Sequence, residues 1–319
     1  MYIAQAFNVL HDWWRYIIGV IIAIVGVIIF SIPHTIGIVM ETAKGNIDMS
    51  RMSDTSYIMT LFEPNLNLLF VLLPFAGGLL FLLLAVKYLH KQSIKHLTTT
   101  RKKIDWKRVW FVFILWGIIS SSFILLDYYM TPENYQLNFN LVPFLILCVI
   151  AIILVPLQTS FEEYLFRGYL MQGIGVLTKT KWAPLLLTSI VFGLLHIANP
   201  EVDKLGYVIM IYYIGTGLFL GIVTLMDEGM EIALGFHAAN NLFTALLVTA
   251  DWTAFQTHSV FKDLSDPSEM GLSEIFIPVF IVFPILLFIF SKKYNWTNWK
   301  DKLLGEVIEP PKEDYKILE

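Results

Sequence analysis

The stretch 141-LVPFLILCVIAIILVPLQTSFEEYLFRGYLMQGIGVL-177 opens on an apolar run, then sets two glutamates and an arginine inside sequence that stays apolar beyond them. An apolar helix of roughly 20 residues crosses the ~30 Å hydrocarbon core of a bilayer, so 141–158 reads as a membrane span. Lipid offers no partners to backbone N–H and C=O groups, which restricts spans to helices and closed barrels. The run has none of the two-residue alternation of a barrel strand, so a helix is expected.

Working outward, seven further apolar runs recur with short polar breaks, at about 16–40, 67–89, 109–129, 183–198, 206–226, 231–250 and 274–291. The expectation is an all-α polytopic membrane helix bundle of about eight transmembrane helices. Composition agrees: 56% of the 319 residues are hydrophobic and 15% charged, outside the balance of soluble domains. The run 16–40 is too long for a signal peptide, has no basic leading region and no small-residue cleavage site, and is read as a retained span.

Charge sets the expected orientation. Between Lys87 and Arg108 lie eight basic residues (Lys87, Lys91, Lys95, Arg101, Lys102, Lys103, Lys107, Arg108) against one acid, Asp105. Basic loops stay on the cytoplasmic side, so this connection is expected inside, with both termini, in agreement with Arg15, Lys292 and Lys293. A nucleic-acid role for the same loop is the alternative, and topology is the commoner reason for such a run; no nucleic-acid partner is expected. The long polar connections 41–66 and 251–273 are expected outside. The tail 292–319, with Glu306, Glu309, Pro310, Pro311, Lys312, Glu313 and Asp314, reads as a mobile cytoplasmic end. Cys148, among Leu147, Val149 and Ile150, excludes an intrachain disulfide and reads as a small core residue.

An ionised side chain near the bilayer centre costs several kcal/mol, so charges within spans need an explanation. On a helix Glu163 and Arg167 share a face and can pair, while Glu162 points about 100° away and stays available. A carboxylate held among apolar groups can serve as general base toward water. An interfacial turn would place all three charges in water instead, but Tyr169, Leu170, Met171, Ile174, Val176 and Leu177 continue the apolar run past them. His196 follows Phe192 at four residues, late in 183–198; a hydrogen-bonded core histidine is the bland alternative. His237 and Asn241, four apart beside Ala238 and Ala239, project together and could hold an oxyanion, or could make an ordinary interhelical polar contact. Ser160 and Ser189 lack a nucleophile-elbow context, so the economical chemistry is acyl hydrolysis of an amide by carboxylate-activated water.

The pattern Glu162-Glu163-x-x-x-Arg167, then Phe192-x-x-x-His196, then His237-x-x-x-Asn241 resembles the CAAX protease and bacteriocin-processing (CPBP, Abi) family of intramembrane endopeptidases, related to type II CAAX prenyl proteases. The resemblance covers roughly 141–250. It implies that Glu162 with His196 activates water, that His237 and Asn241 form the oxyanion site, and that Glu163 and Arg167 support the geometry. Zinc is the alternative, but the signature His-Glu-x-x-His is absent, and the resemblance favours a metal-free, glutamate-dependent reaction without a cofactor. The implied partners are a membrane-associated peptide or protein substrate and the lipid bilayer, and the expected location is a bacterial cytoplasmic membrane. The site is expected in the cytoplasmic half, with 159–178 an oblique or broken helix after Pro156. The chain then divides into N-terminal membrane helices 1–130, a protease-like core 131–250, an outer loop with the last span 251–291, and the tail 292–319. A non-catalytic scaffold or immunity factor of the same fold, and less so a transporter, are the competing readings; no repeat-related halves favour the latter.

Overall fold

The computed structural model describes residues 1–269 and 271–311. Among the described residues six helices are long and apolar enough to cross a membrane: α1 (Trp13–Ala43), α2 (Pro64–Tyr88), α3 (Trp106–Met130), the continuous helical stretch Leu141–Thr178, the stretch Tyr207–Asp227 and the stretch Leu272–Tyr294. The protein is thus an all-α, multi-pass integral membrane protein. Within Leu141–Thr178 the chain runs as α4 (Leu141–Glu163), a π-helical segment Tyr164–Leu170 and α5 (Met171–Thr178). Two of the eight expected spans are shorter helices, α6 (Trp182–Leu194) of 13 residues and α8 (Glu231–Leu247) of 17, flanking α7 (Met210–Asp227). At 1.5 Å per residue α6 reaches only about 20 Å, too little for the full hydrocarbon core. His196 therefore lies beyond its helix end, in the turn that leads to the short helix Pro200–Leu205.

Packing follows small residues and apolar faces. α1 lies on α2, where the backbones of Gly26 and Gly77 meet. α3 and α4 clasp α8 from two sides, and α6 lies against α7. Outward faces stay apolar: Ile21 is 53% and Ile28 61% exposed on α1, as helices facing hydrocarbon require. Three short strands, β1 (Tyr135–Leu137), β2 (Val248–Thr249) and β3 (Phe261–Asp263), add a small sheet in the order β1-β3-β2 that periodicity does not reveal.

The connections sort onto two faces. On the basic face Arg101 pairs with Asp227 and Glu231 at 2.7 and 3.0 Å, and Arg108 reaches Asp227 at 2.5 Å. The N-terminal segment sits there too: Tyr2 donates to Leu97 O, and Tyr2, Ile3 and Phe7 are buried. On the opposite face Thr55 donates to Asp203, and Glu63 meets His258.

Two expectations are corrected. The tail is docked over 292–311: Trp296 and Val307 are buried, Lys181 holds Asp301 at 3.0 Å, and the Val307 amide donates to Lys179 O. Apolar anchors between the charges supply what the net polarity concealed; Lys312, Glu313 and Asp314 lie outside the described residues. Nor does the chain break after Pro156. α4 runs through that proline, and the irregularity falls later, as the π-helical segment directly after Glu163.

Candidate active site

Glu162 and Glu163 end α4, where the wider π-helical turn begins; such segments concentrate at functional sites. Glu163 and Arg167 are fully buried and joined at 2.9 Å between Oε1 and Nη1. A buried guanidinium needs further partners. Arg167 Nη2 donates to the Gly217 carbonyl of α7 at 3.1 Å, and its plane lies 4.3 Å from the Phe192 ring of α6. One arginine thus ties the stretch Leu141–Thr178 to α6 and α7.

His237 of α8 stands between the two glutamates. Its Nδ1 lies 2.8 Å from Glu163 Oε1 and its Nε2 3.4 Å from Glu162 Oε2. A carboxylate can only accept, so Nδ1 is protonated, and Nε2 can donate to Glu162 only when the ring is imidazolium. Glu162 Oε1 accepts from Gln158 Nε2 at 2.7 Å. Behind Gln158 the donors line up: Asn241 Nδ2 gives to Gln158 Oε1, Asn240 Nδ2 to Asn241 Oδ1, and Trp116 Nε1 to Asn240 Oδ1, each at 3.1 Å. Successive amides polarise one another, so the chain presents a strengthened donor to the carboxylate.

His196 is not in this network. Its Nδ1 meets Phe192 O at 2.8 Å, which makes Nδ1 the donor and leaves the lone pair of the neutral ring on Nε2. Its ring stacks on Tyr213 at 4.5 Å. Phe192 lies between the histidines, 4.9 Å from His196 and 5.9 Å from His237 by ring centroids. Among the described residues no hydrogen bond or ion pair joins His196 to Glu162. The two nevertheless line one cavity of about 660 Å³, shared with Gln158, Asn240 and Asn241. That cavity is also lined by Met59 and by Trp252–Phe255, in segments on the face opposite the basic one.

Gln158, Asn240, Tyr213 and Trp116 escaped the sequence reading. Gln158 was findable, since it lies one helical turn before Glu162 and is polar in an apolar run. Trp116 and Tyr213 carry no such signal, because their contacts are set by helix packing. As for metal, zinc sites use three or four protein ligands. Among the described residues no group of three His, Cys, Asp or Glu side chains gathers at that spacing, and the amides around Glu162 are weak zinc donors.

The fold and this buried cluster define a polytopic helical membrane protein in which Glu162 of α4, His196 beyond the end of α6, and Asn240 and Asn241 of α8 line one cavity. Residues 137–243, which include all seven motif residues, match the family model described as type II CAAX prenyl endopeptidase Rce1-like. A relative in Bacillus subtilis (strain 168), described as uncharacterized protein YyaK, is 39% identical over 170 residues, covering 52% of this chain and 56% of that protein. The match thus spans about half the length of that relative. No solved structure matches.

Proposed function

We propose that the protein is an intramembrane endopeptidase that hydrolyses a peptide bond in a membrane-associated substrate with water activated by Glu162. The observation that supports this most is the placement of Glu162 on a cavity shared with His196 and Asn241, with His237 Nε2 at 3.4 Å and the His237 ring anchored through Glu163 and Arg167.

In this reading water is held between Glu162 and the Nε2 lone pair of His196. Glu162 takes a proton, the water oxygen bonds to the carbonyl carbon, and the carbonyl electrons move onto oxygen. With the His237 ring as imidazolium, protonated Glu162 no longer competes for its Nε2–H, which turns to the oxyanion together with the Asn241 amide. Collapse of the tetrahedral adduct breaks the C–N bond, and Glu162 returns its proton to the departing nitrogen. Glu163 and Arg167 hold the His237 ring in place. The residues supply the base, the acid and the oxyanion donors, so the mechanism is metal-free. A bacterial cytoplasmic membrane is the setting proposed.

Glu162→Gln is the decisive variant, since the amide is nearly isosteric and can still accept from Gln158. Purified protein carrying it is expected to melt with the wild type and to cleave none of a peptide library that the wild type cleaves. Full activity in this variant removes Glu162 from the mechanism. Loss of wild-type activity on dialysis against a strong chelator, with recovery on added zinc, replaces the metal-free reaction with a metal-dependent one.

A further inference from the structure

The cavity that holds Glu162 extends past His196 to a second carboxylate that the hydrolysis does not use. Glu201, at the start of the short helix Pro200–Leu205, accepts at Oε1 from the Ala254 amide at 2.8 Å. Its Oε2 is buried and has no hydrogen-bond partner among the described residues. Burial raises the Glu201 carboxyl above its ordinary range, against the lowering effect of the Ala254 N–H, the mark of a carboxylate short of positive charge. Aromatic rings of Tyr213, Trp252 and Phe255 line the same cavity, and Tyr213 in turn stacks on His196. Asp263 contributes a third acid to the lining, and among the described residues no lysine or arginine lines the cavity.

An anionic group flanked by aromatic rings is the chemistry that takes a cation: the carboxylate supplies a charge-assisted hydrogen bond and the rings their negative faces. A peptide carboxylate, by contrast, would meet three acids and no counter-charge. We infer that Glu201, with Tyr213 and Trp252, forms a subsite for a lysine or arginine side chain of the peptide substrate, close to the bond presented to Glu162. The inference rests on the endopeptidase reading for the meaning of the site, and its test is arranged to stand without turnover.

The probe is a set of fluorescent apolar decapeptides identical except for one central residue, lysine, norleucine or glutamate, titrated against full-length Glu162→Gln protein in detergent with fluorescence anisotropy as the readout. The lysine peptide is expected to bind about tenfold tighter than the norleucine peptide, the scale of one hydrogen bond to a charged group, and the glutamate peptide weakest. Adding Glu201→Gln keeps an oxygen for the Ala254 amide and is expected to erase the lysine preference; Glu201→Arg is expected to turn it toward glutamate. Equal binding of lysine and norleucine peptides, or a lysine preference that survives Glu201→Gln, overturns the subsite and leaves Glu201 as a tether of the Ala254 loop. A wild-type protein that binds with this preference but cleaves no peptide would defeat the endopeptidase reading and keep the subsite.

Discussion

At the scale of single residues, burial decides which charges carry consequence. Removing Glu163 leaves Arg167 without its ion-pair partner in a fully buried setting and releases His237 Nδ1. Breaking such a pair from one side costs about 3–5 kcal/mol, so Glu163→Ala is expected to lower the melting temperature sharply in detergent, whereas Glu162→Gln is not. Equal melting of all three proteins would show that the pair contributes little. His90 offers a pH counterpart outside the spans. It is wholly buried, with Nδ1 at Leu10 O and Nε2 at the Tyr169 hydroxyl, and desolvation pulls its pKa from 6.5 down to about 4. The folded value lies below the unfolded one, so the unfolded chain takes up the proton first on acidification. Stability is therefore full above pH 6.5 and lost as pH falls toward 4, by up to about 3 kcal/mol. Melting followed from pH 7 to 4.5 is expected to decline, and to decline less in His90→Gln.

At the scale of elements, the site depends on how closely α6 and α7 approach. A Cβ on Gly217 would lie 2.8 Å from the Ser189 carbonyl oxygen, and backbone cannot step aside as a side chain can. The Gly217 carbonyl also receives Arg167, so any separation of the helices reaches the ion pair. Gly217→Ala is expected to cost about 1–3 kcal/mol and to depress activity with it. Gly221→Ala meets instead the end of the Leu185 side chain, which can rotate, and is expected to be milder in both a melting and a cleavage assay. What the sequence disclosed at this scale follows from the same distinction. Apolar length located the helices, and four-residue spacing located the Glu163–Arg167 pair, because both are properties of one continuous helix. The shortness of α6, the π-helical turn after Glu163 and the small sheet were illegible, since each is imposed by neighbours distant in the chain. The same holds for His237: helical spacing paired it with Asn241, while its ring nitrogens face the two glutamates of another helix.

At the scale of the whole molecule, two independent lines separate the faces. By the positive-inside rule the eight basic residues between Lys87 and Arg108 lead us to expect that loop in the cytoplasm. The fold gathers onto the same face the N-terminal segment, the junction of α7 and α8 and the docked residues after Tyr294, through Met1 with Glu228, Arg101 with Asp227, and Trp296 Nε1 with Asp227 Oδ1 at 3.1 Å. The segments around Met49 and Trp252 fall on the other face, with part of the cavity lining. Single cysteines in a Cys148→Ser background test the arrangement. Lys103 is exposed and unencumbered by the Arg101 pairs, so Lys103→Cys is expected to react with a membrane-impermeant maleimide only after the cells are permeabilised. Met49, 60% exposed, is expected as Met49→Cys to react in intact cells. Labelling of Lys103→Cys in intact cells would invert the molecule. That part of the lining would then face the cytoplasm, and a substrate would have to reach the cavity from that side.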